Sequence, residues 1–162
     1  MNMRYITVSE LIFINGKLLN DPLIMSGKQK IRDIDLLLAA EQRPQSSAFG
    51  QDAYKTLEEK AAALMHSVAR NHPFKDGNKR TALVSMLMML HVNGQTPVWN
   101  PQEALQRVLD VAEGRQNSGV FAEWLQLAET EPLPDSNVQE DTRLIDALLD
   151  EHRWLLDELS TR

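Results

Sequence analysis

Nine consecutive residues near the middle of the chain bring together side chains that could catalyse a reaction on a bound phosphate. They supply an imidazole, a carboxylate, an amide, several cations and a glycine, in the order His72, Pro73, Phe74, Lys75, Asp76, Gly77, Asn78, Lys79 and Arg80. A neutral imidazole can take a proton from a hydroxyl at cellular pH, so we predict that His72 is a general base. A histidine at a helix–loop junction can also be purely structural, and that alternative applies to His72 taken alone.

The carboxylate of this segment is a candidate metal ligand. Asp76 can place a hard cation such as Mg²⁺ against phosphate oxygens. Its position also suits an N-cap, and a single carboxylate can fill both roles only in part.

The end of the segment predicts an anion-binding site at a helix N-terminus. The backbone N–H groups of Gly77, Asn78 and Lys79 would form the site, with Lys75, Lys79 and Arg80 adding positive charge. Cations at a helix N-terminus oppose the helix dipole, and a bound polyanion would explain them. A solvated cationic turn is the alternative. Phe74, which lies between polar residues, is predicted to anchor the loop in the core.

These residue types together indicate phosphoryl or nucleotidyl transfer from a nucleoside triphosphate to a protein hydroxyl. His72 would deprotonate the acceptor, while Mg²⁺ and the anion site would stabilise the developing charge. The chain has no Walker A loop, kinase signature or zinc-binding spacing.

Helical patterns before and after the segment predict an all-α scaffold that presents it. Apolar periodicity and capping residues predict helices over 5–19, 28–41, 56–71, 79–93, 100–114, 118–129 and 138–160. The helix over 79–93 is apolar almost all round, which is typical of the buried centre of a domain. Residues 20–22 are expected to form a turn, and 96–99 a brief extended piece.

The stretch from 42 to 56 has no helical period. It holds small polar residues with two isolated aromatics, Phe49 and Tyr54. We expect a short hairpin or an extended flap there, with a plain surface loop as the alternative.

Composition places the chain among globular proteins of a reducing compartment. The net charge of −6 argues against a generally basic nucleic-acid binder, and there is no cysteine. The N-terminus lacks the apolar run of a signal peptide, so we expect a cytoplasmic protein that contacts neither membrane nor nucleic acid. An acidic, proline-containing linker over 129–137 would divide a catalytic domain, 1–128, from a C-terminal helical extension, 138–162.

Residues 72–80 resemble the motif of the Fic/Doc family, His-x-Phe-x-Asp/Glu-Gly/Ala-Asn-x-Arg. His72, Phe74, Asp76, Gly77, Asn78 and Arg80 fill its fixed positions, and the resemblance extends over roughly residues 3 to 128. Lys79, where Fic adenylyltransferases usually have glycine, and Leu83, where they have a second arginine, look like the Doc (death-on-curing) branch. Gly77 is a small departure toward Fic.

The resemblance implies a Fic/Doc-like helical bundle with a buried central helix, a flap and one extra C-terminal helix. It implies a toxin that uses ATP and Mg²⁺ to transfer the γ-phosphate to a Ser/Thr hydroxyl of a protein such as elongation factor Tu, inhibiting translation. The flap, with Arg43, Phe49 and Tyr54, would position the target. Fic-type AMP transfer is the alternative reaction, and a non-catalytic interaction module is the alternative of another class.

The resemblance also implies that a partner controls the protein. Doc toxins are neutralised by a small antitoxin of the Phd type. The inhibitory pattern of some Fic proteins, Ser/Thr-x-x-x-Glu-Gly/Asn, is missing here, because Leu109 stands where Ser or Thr is needed before Glu113 and Gly114. The extra C-terminal helix could pack on its own domain, form a homodimer or occupy the antitoxin groove.

Overall fold

The described part of the protein is mostly helical, as the sequence predicts. The computed structural model describes residues 2–20 and 30–162. In chain order the helices are α1 (Val8–Leu19), α2 (Ile34–Gln42), α3 (Leu57–Asn71), α4 (Asn78–Val92), α5 (Pro101–Ala112), α6 (Ser118–Trp124), α7 (Val138–Glu151) and α8 (Arg153–Ser160). The strands are β1 (Ser47–Ala48), β2 (Gln51–Asp52), β3 (Gln95–Pro97) and β4 (Leu127–Glu129).

Helix α4 lies at the centre of the fold. Twelve of its fifteen residues are buried, and it contacts α1, α3, α7 and α8. The apolar surface on every side of this helix requires neighbours on every side, which explains why other helices surround it. The predicted buried central helix is confirmed, and its N-terminus carries the end of the nine-residue motif.

The predicted helix starts follow the capping chemistry of the sequence. Thr7 and Glu10 form a capping box at α1. Thr56 accepts a hydrogen bond from the Glu59 N–H at α3. Asn100 caps α5, which begins at Pro101. Each side chain satisfies a backbone N–H that would otherwise lack a partner.

The second predicted helix begins later than the sequence pattern indicates. It was predicted over 28–41, but α2 begins at Ile34 with Asp33 as its N-cap. The main chain just before it pairs with the motif instead: Ile31 forms a β-bridge with Phe74, and the Arg32 N–H donates to Pro73 O over 2.8 Å. Residues 21–29, with part of the predicted turn over 20–22 and the start of this predicted helix, lie outside the described residues.

Two predictions in the C-terminal part are wrong in detail. The helix predicted over 118–129 ends at Trp124, because residues Leu127–Glu129 leave it to pair as β4 with β3. The helix predicted over 138–160 is interrupted at His152, which divides it into α7 and α8. Each part buries its own apolar residues, namely Leu144, Ile145 and Leu148 in α7 and Leu155, Leu156 and Leu159 in α8.

A tight hairpin occupies the stretch that was predicted to form a hairpin or flap. Strands β1 and β2 pair antiparallel, with Ser47 opposite Asp52. The turn residues Phe49 and Gly50 both have positive φ, 54° and 76°, as short hairpin turns require. Among the described residues, no helix is long and apolar enough to cross a membrane.

Candidate active site

The loop between α3 and α4, residues 72–77 (the motif loop), begins with an unusual backbone conformation at His72. This residue ends α3 with φ 51° and ψ 59°, in the left-handed region that side chains other than glycine rarely adopt. Its side chain is exposed. The left-handed turn stops the helix and leaves the imidazole at the protein surface.

Two side chains fix the motif loop from within. Phe74 is 2% exposed. Asn78, also buried, bonds reciprocally to the main chain of Phe74: the Phe74 N–H donates to Asn78 Oδ1 and Asn78 Nδ2 donates to Phe74 O, both over 2.9 Å. Because the side-chain amide of Asn78 is occupied by these two bonds, the predicted contact of Asn78 with phosphate would have to come from its main-chain N–H.

Two further residues position the loop and were missed in the sequence. Asn15 of α1, fully buried, donates from Nδ2 to Asp76 O over 2.9 Å and to Thr81 Oγ1 over 3.1 Å. Arg32 donates from Nη2 to Asn71 O over 2.7 Å and from Nε to His72 O. Asn15 could have been found as the polar residue one turn after Leu11 on the apolar face of α1. No sequence signal marked Arg32.

The motif loop and the start of α4 line one cavity of about 220 Å³. The lining residues include seven of the residues singled out in the sequence: His72, Lys75, Asp76, Gly77, Asn78, Lys79 and Arg80. The opposite wall comes from the C-terminal helix α8 and the residues after it, through Leu159, Ser160 and Arg162. The cavity thus combines an imidazole, a carboxylate and four cationic residues, three of which belong to the nine-residue motif.

The N-terminus of α4 has no side-chain cap among the described residues. Its N-cap is Gly77, with φ 74°. Helix α8 also begins without a side-chain cap, whereas α1, α2, α3, α5, α6 and α7 are each capped by a side chain. The N–H of Gly77 donates to Asp76 Oδ1 over 2.7 Å. A Cβ at position 77 would approach Leu19 Cδ2 to 3.3 Å, so both the positive φ and the close packing favour glycine.

The cations at this helix start differ in their surroundings. Lys79 Nζ donates to the main-chain oxygen of Arg162 over 2.8 Å, which links the start of α4 to the residues after α8. Arg80 lines the cavity and also a second one between α1 and the C-terminal helices. Two positive charges therefore stand in the first turn of α4, where the helix dipole opposes them.

The three residues predicted to belong to a flap do not line this cavity. Arg43 and Tyr54 lie at the two ends of the hairpin and bond to each other, Nε to OH, over 2.8 Å. Arg43 also donates to His66 Nδ1 and Ser67 Oγ of α3. Phe49 at the hairpin tip is fully exposed. His66 was not singled out in the sequence, because it fits the helical pattern of α3.

One acidic side chain of the cavity, Asp76, is of the type that binds a metal together with a phosphate ligand. Within residues 2–20 and 30–162 there is no cluster of three or more histidine or acidic side chains that could hold a metal ion. Mg²⁺, however, is commonly held by one or two carboxylates together with substrate phosphates. The exposed Asp76 carboxylate fits such a site, because within the described part of the chain its Oδ1 accepts a single hydrogen bond, from the adjacent Gly77 N–H.

Sequence comparisons agree with this geometry. Residues 5–90, more than half of the chain, match the family described as the Fic/DOC family. The chain is also 54% identical over 68 residues to a protein named Toxin Doc from Mycolicibacterium smegmatis. That similarity covers 42% of this chain and 52% of the relative, so the chain spans about half the length of the relative that it matches. Because the family match covers more than half of the chain, including α1, α3, the motif loop and most of α4, this chain belongs to the Fic/DOC family.

Proposed function

We propose that this protein is a Doc-like toxin that transfers the γ-phosphate of ATP to a Ser/Thr hydroxyl of a target protein. The cavity at the start of α4 carries the proposal. It joins an exposed imidazole, a carboxylate, an uncapped helix N-terminus and the three cations of the motif, which is the set of groups that phosphate transfer needs.

His72 is the general base in this proposal. It takes the proton of the acceptor hydroxyl as that oxygen attacks the γ-phosphorus, and ADP leaves with the electron pair of the broken P–O bond. The N–H groups at the start of α4, with Lys75, Lys79 and Arg80, hold the phosphate oxygens. Asp76 would hold Mg²⁺, which when bound neutralises charge on the phosphates.

The position after the motif favours transfer of phosphate over transfer of AMP. Fic adenylyltransferases use a second arginine three residues after the first. Here Leu83 stands at that position and is completely buried in the core. No phosphate contact can come from it, so the alternative of Fic-type AMP transfer lacks one of its usual groups.

The proposal extends to partners. The relative named Toxin Doc supports a toxin that is paired with an antitoxin, for which we propose a small Phd-like protein. We propose elongation factor Tu as the first target to test, and the hairpin as the element that positions it. A homodimer through the C-terminal helices stays a prediction that sedimentation can check. A cytoplasmic location stays a prediction as well.

The experiment uses ATP labelled at the γ or at the α position, with purified elongation factor Tu as acceptor. Transfer from the γ position alone, abolished in His72→Ala, is the expected result. Transfer of label from the α position alone would show that the protein transfers AMP and not phosphate. If neither label is transferred and expression of the protein in a bacterium is harmless, the fold serves as a non-catalytic interaction module.

A further inference from the structure

A half-buried histidine of α3, His66, has no role in the proposed reaction. It lies between the hairpin and the motif loop along the chain, six residues before His72. Its Nδ1 is within hydrogen-bonding distance of Arg43 Nη1. Since an arginine can only donate, Nδ1 is the acceptor, and the imidazole is neutral with its proton on Nε2.

Arg43 connects His66 to both ends of the hairpin. It begins the short 3₁₀ turn that precedes the first hairpin strand, and Tyr54 stands two residues after the second strand. Besides bonding to Tyr54 OH, the guanidinium lies over the Tyr54 ring at 5.6 Å. Ser67 Oγ accepts a second bond from Nη1 over 3.0 Å. A single guanidinium therefore joins the base of the hairpin to α3.

We propose that His66 is a positioning residue, which holds the hairpin at a fixed place relative to the motif loop by accepting a hydrogen bond from Arg43. The hairpin itself has only two short strands and exposed residues, so it has little packing of its own. Two-stranded hairpins are marginally stable alone, and their orientation depends on such contacts.

A second contact at the hairpin base serves as a comparison for the Arg43–His66 contact. Lys60, only 3% exposed, donates to Pro44 O and to Asp52 Oδ2, each over 3.3 Å. Its partner Asp52 is largely exposed. This contact contains no imidazole, so it does not depend on the protonation of His66.

Protonation should release the His66 contact. An imidazolium cannot accept from Arg43, and it would face two like charges, Arg43 before the hairpin and Arg70 one turn further along α3. Burial, with Arg43 and then Arg70 adding to its effect, holds the pKa of His66 below its ordinary value of 6.5. The hairpin should therefore stay in place at neutral pH and loosen in acid.

Hydrogen exchange of the full chain tests the proposal without a substrate. The reporter is the Ala53 N–H, which donates to Ser46 O across the hairpin base over 2.8 Å. We expect His66→Leu to lower the protection of this amide by about tenfold and to leave the amides of α4 unchanged. His66→Asn keeps an acceptor near the position of Nδ1, so in this variant the Ala53 N–H should be as protected as in the unaltered protein. Unchanged protection in His66→Leu would overturn the proposal.

The pH profile of the unaltered protein gives a second test that does not depend on a variant folding. Corrected for intrinsic exchange, protection of Ala53 should fall as the pH is lowered from about 7 to about 5. The fall should persist in Asp52→Asn, which weakens the Lys60 contact, and disappear in His66→Asn. A profile that is flat in the unaltered protein would contradict the role of His66.

A kinetic consequence rests on the proposed function. With elongation factor Tu as acceptor, His66→Leu should raise the KM for the protein acceptor and leave the KM for ATP unchanged, because the cavity is not altered. If elongation factor Tu is not modified even by the unaltered protein, the proposed target is wrong, while the exchange experiments still decide the role of His66.

Discussion

At the scale of single residues, the site combines exposed reactive groups with buried groups that fix them. His72, Lys75 and Asp76 are exposed, whereas Phe74 and Asn78 are buried and bond to each other. Within the motif, exposed residues are therefore available to a ligand, while their buried neighbours hold the loop in place. Its most costly feature is the left-handed backbone of His72, which a residue with a Cβ adopts only at the expense of stability.

This left-handed backbone predicts that glycine at position 72 destabilises the fold less than alanine, although either substitution removes the imidazole. His72→Gly should be more stable than His72→Ala by about 1 kcal/mol, because glycine adopts the left-handed conformation without a Cβ clash. Both variants should lack transfer activity. Urea denaturation measures the difference in the free energy of unfolding.

Asn20 offers a matched control, since it ends α1 with the same φ of 51° but lies outside the motif. Asn20→Gly should also be more stable than Asn20→Ala, with activity retained in both. Equal stabilities of His72→Gly and His72→Ala would show that the turn at His72 stores no strain.

At the scale of elements, the C-terminal helices complete the site that the family motif begins. Helix α8 and the residues after it form one wall of the cavity, and the main-chain oxygen of Arg162 accepts from Lys79 Nζ. These residues lie beyond the family match, which ends at residue 90. A phosphate that binds Lys79 would therefore share its ammonium, which has three N–H donors, with this oxygen or take the place of this oxygen.

Removing residues 160–162 should expose Lys79 to chemical modification. We expect its acylation rate, measured by peptide mass spectrometry, to rise severalfold, because an ammonium that donates to an acceptor reacts less readily. Lys75, exposed in the same cavity, serves as an internal reference.

Arg162→Ala is the matched control for this experiment. It deletes the guanidinium but keeps the main-chain oxygen, so the acylation rate of Lys79 should stay close to that of the unaltered protein. An equal rise in both variants would assign the protection to the Arg162 side chain instead of its main chain.

At the scale of the whole molecule, one hydrophobic core extends from Ile6 to Leu159. Arg4 joins the two ends of the chain through Glu10 and Asp141, at 2.7 and 2.8 Å, with its side chain only 8% exposed. The aromatic cluster of Trp99 and Trp124 contacts His152 at the break between α7 and α8. The C-terminal helices are therefore tied both to the first residues and to the core.

Two histidines should make the folded state sensitive to acid. Burial lowers the pKa of His152, although Glu151 opposes the effect, and His66 is shifted in the same direction. Between about pH 6.5 and the lowered pKa values, the unfolded chain binds these protons and the folded chain does not. The free energy of unfolding should consequently be highest at neutral pH and fall as the pH drops through the lowered pKa values.

Urea denaturation between about pH 7 and pH 5 measures this slope, which reaches at most about 1.4 kcal/mol per pH unit for each histidine. A variant carrying His66→Asn and His152→Asn should show a smaller slope. An unchanged slope would assign the acid sensitivity to other groups.

Much of the fold and the identity of the site follow from local sequence patterns. Capping residues such as Thr7, Thr56 and Asn100 act within one helical turn, so they determine the helix starts by themselves. The apolar surface all round α4 determines its central position. The motif residues are adjacent in the chain, so a loop followed by a helix start brings most of them to one cavity.

Only the tertiary structure decided the features that depend on partners distant in sequence. Residues Leu127–Glu129 pair as a strand and Ile31 forms a β-bridge, although both segments were predicted to be helical. Backbone hydrogen bonds to other segments compete with those inside a helix. Asn15 and Arg32 hold the motif loop from other parts of the chain, and Arg162 reaches Lys79 across 83 positions. Helical periodicity reports which face of a segment is apolar, and it carries no information on which distant groups that segment will meet.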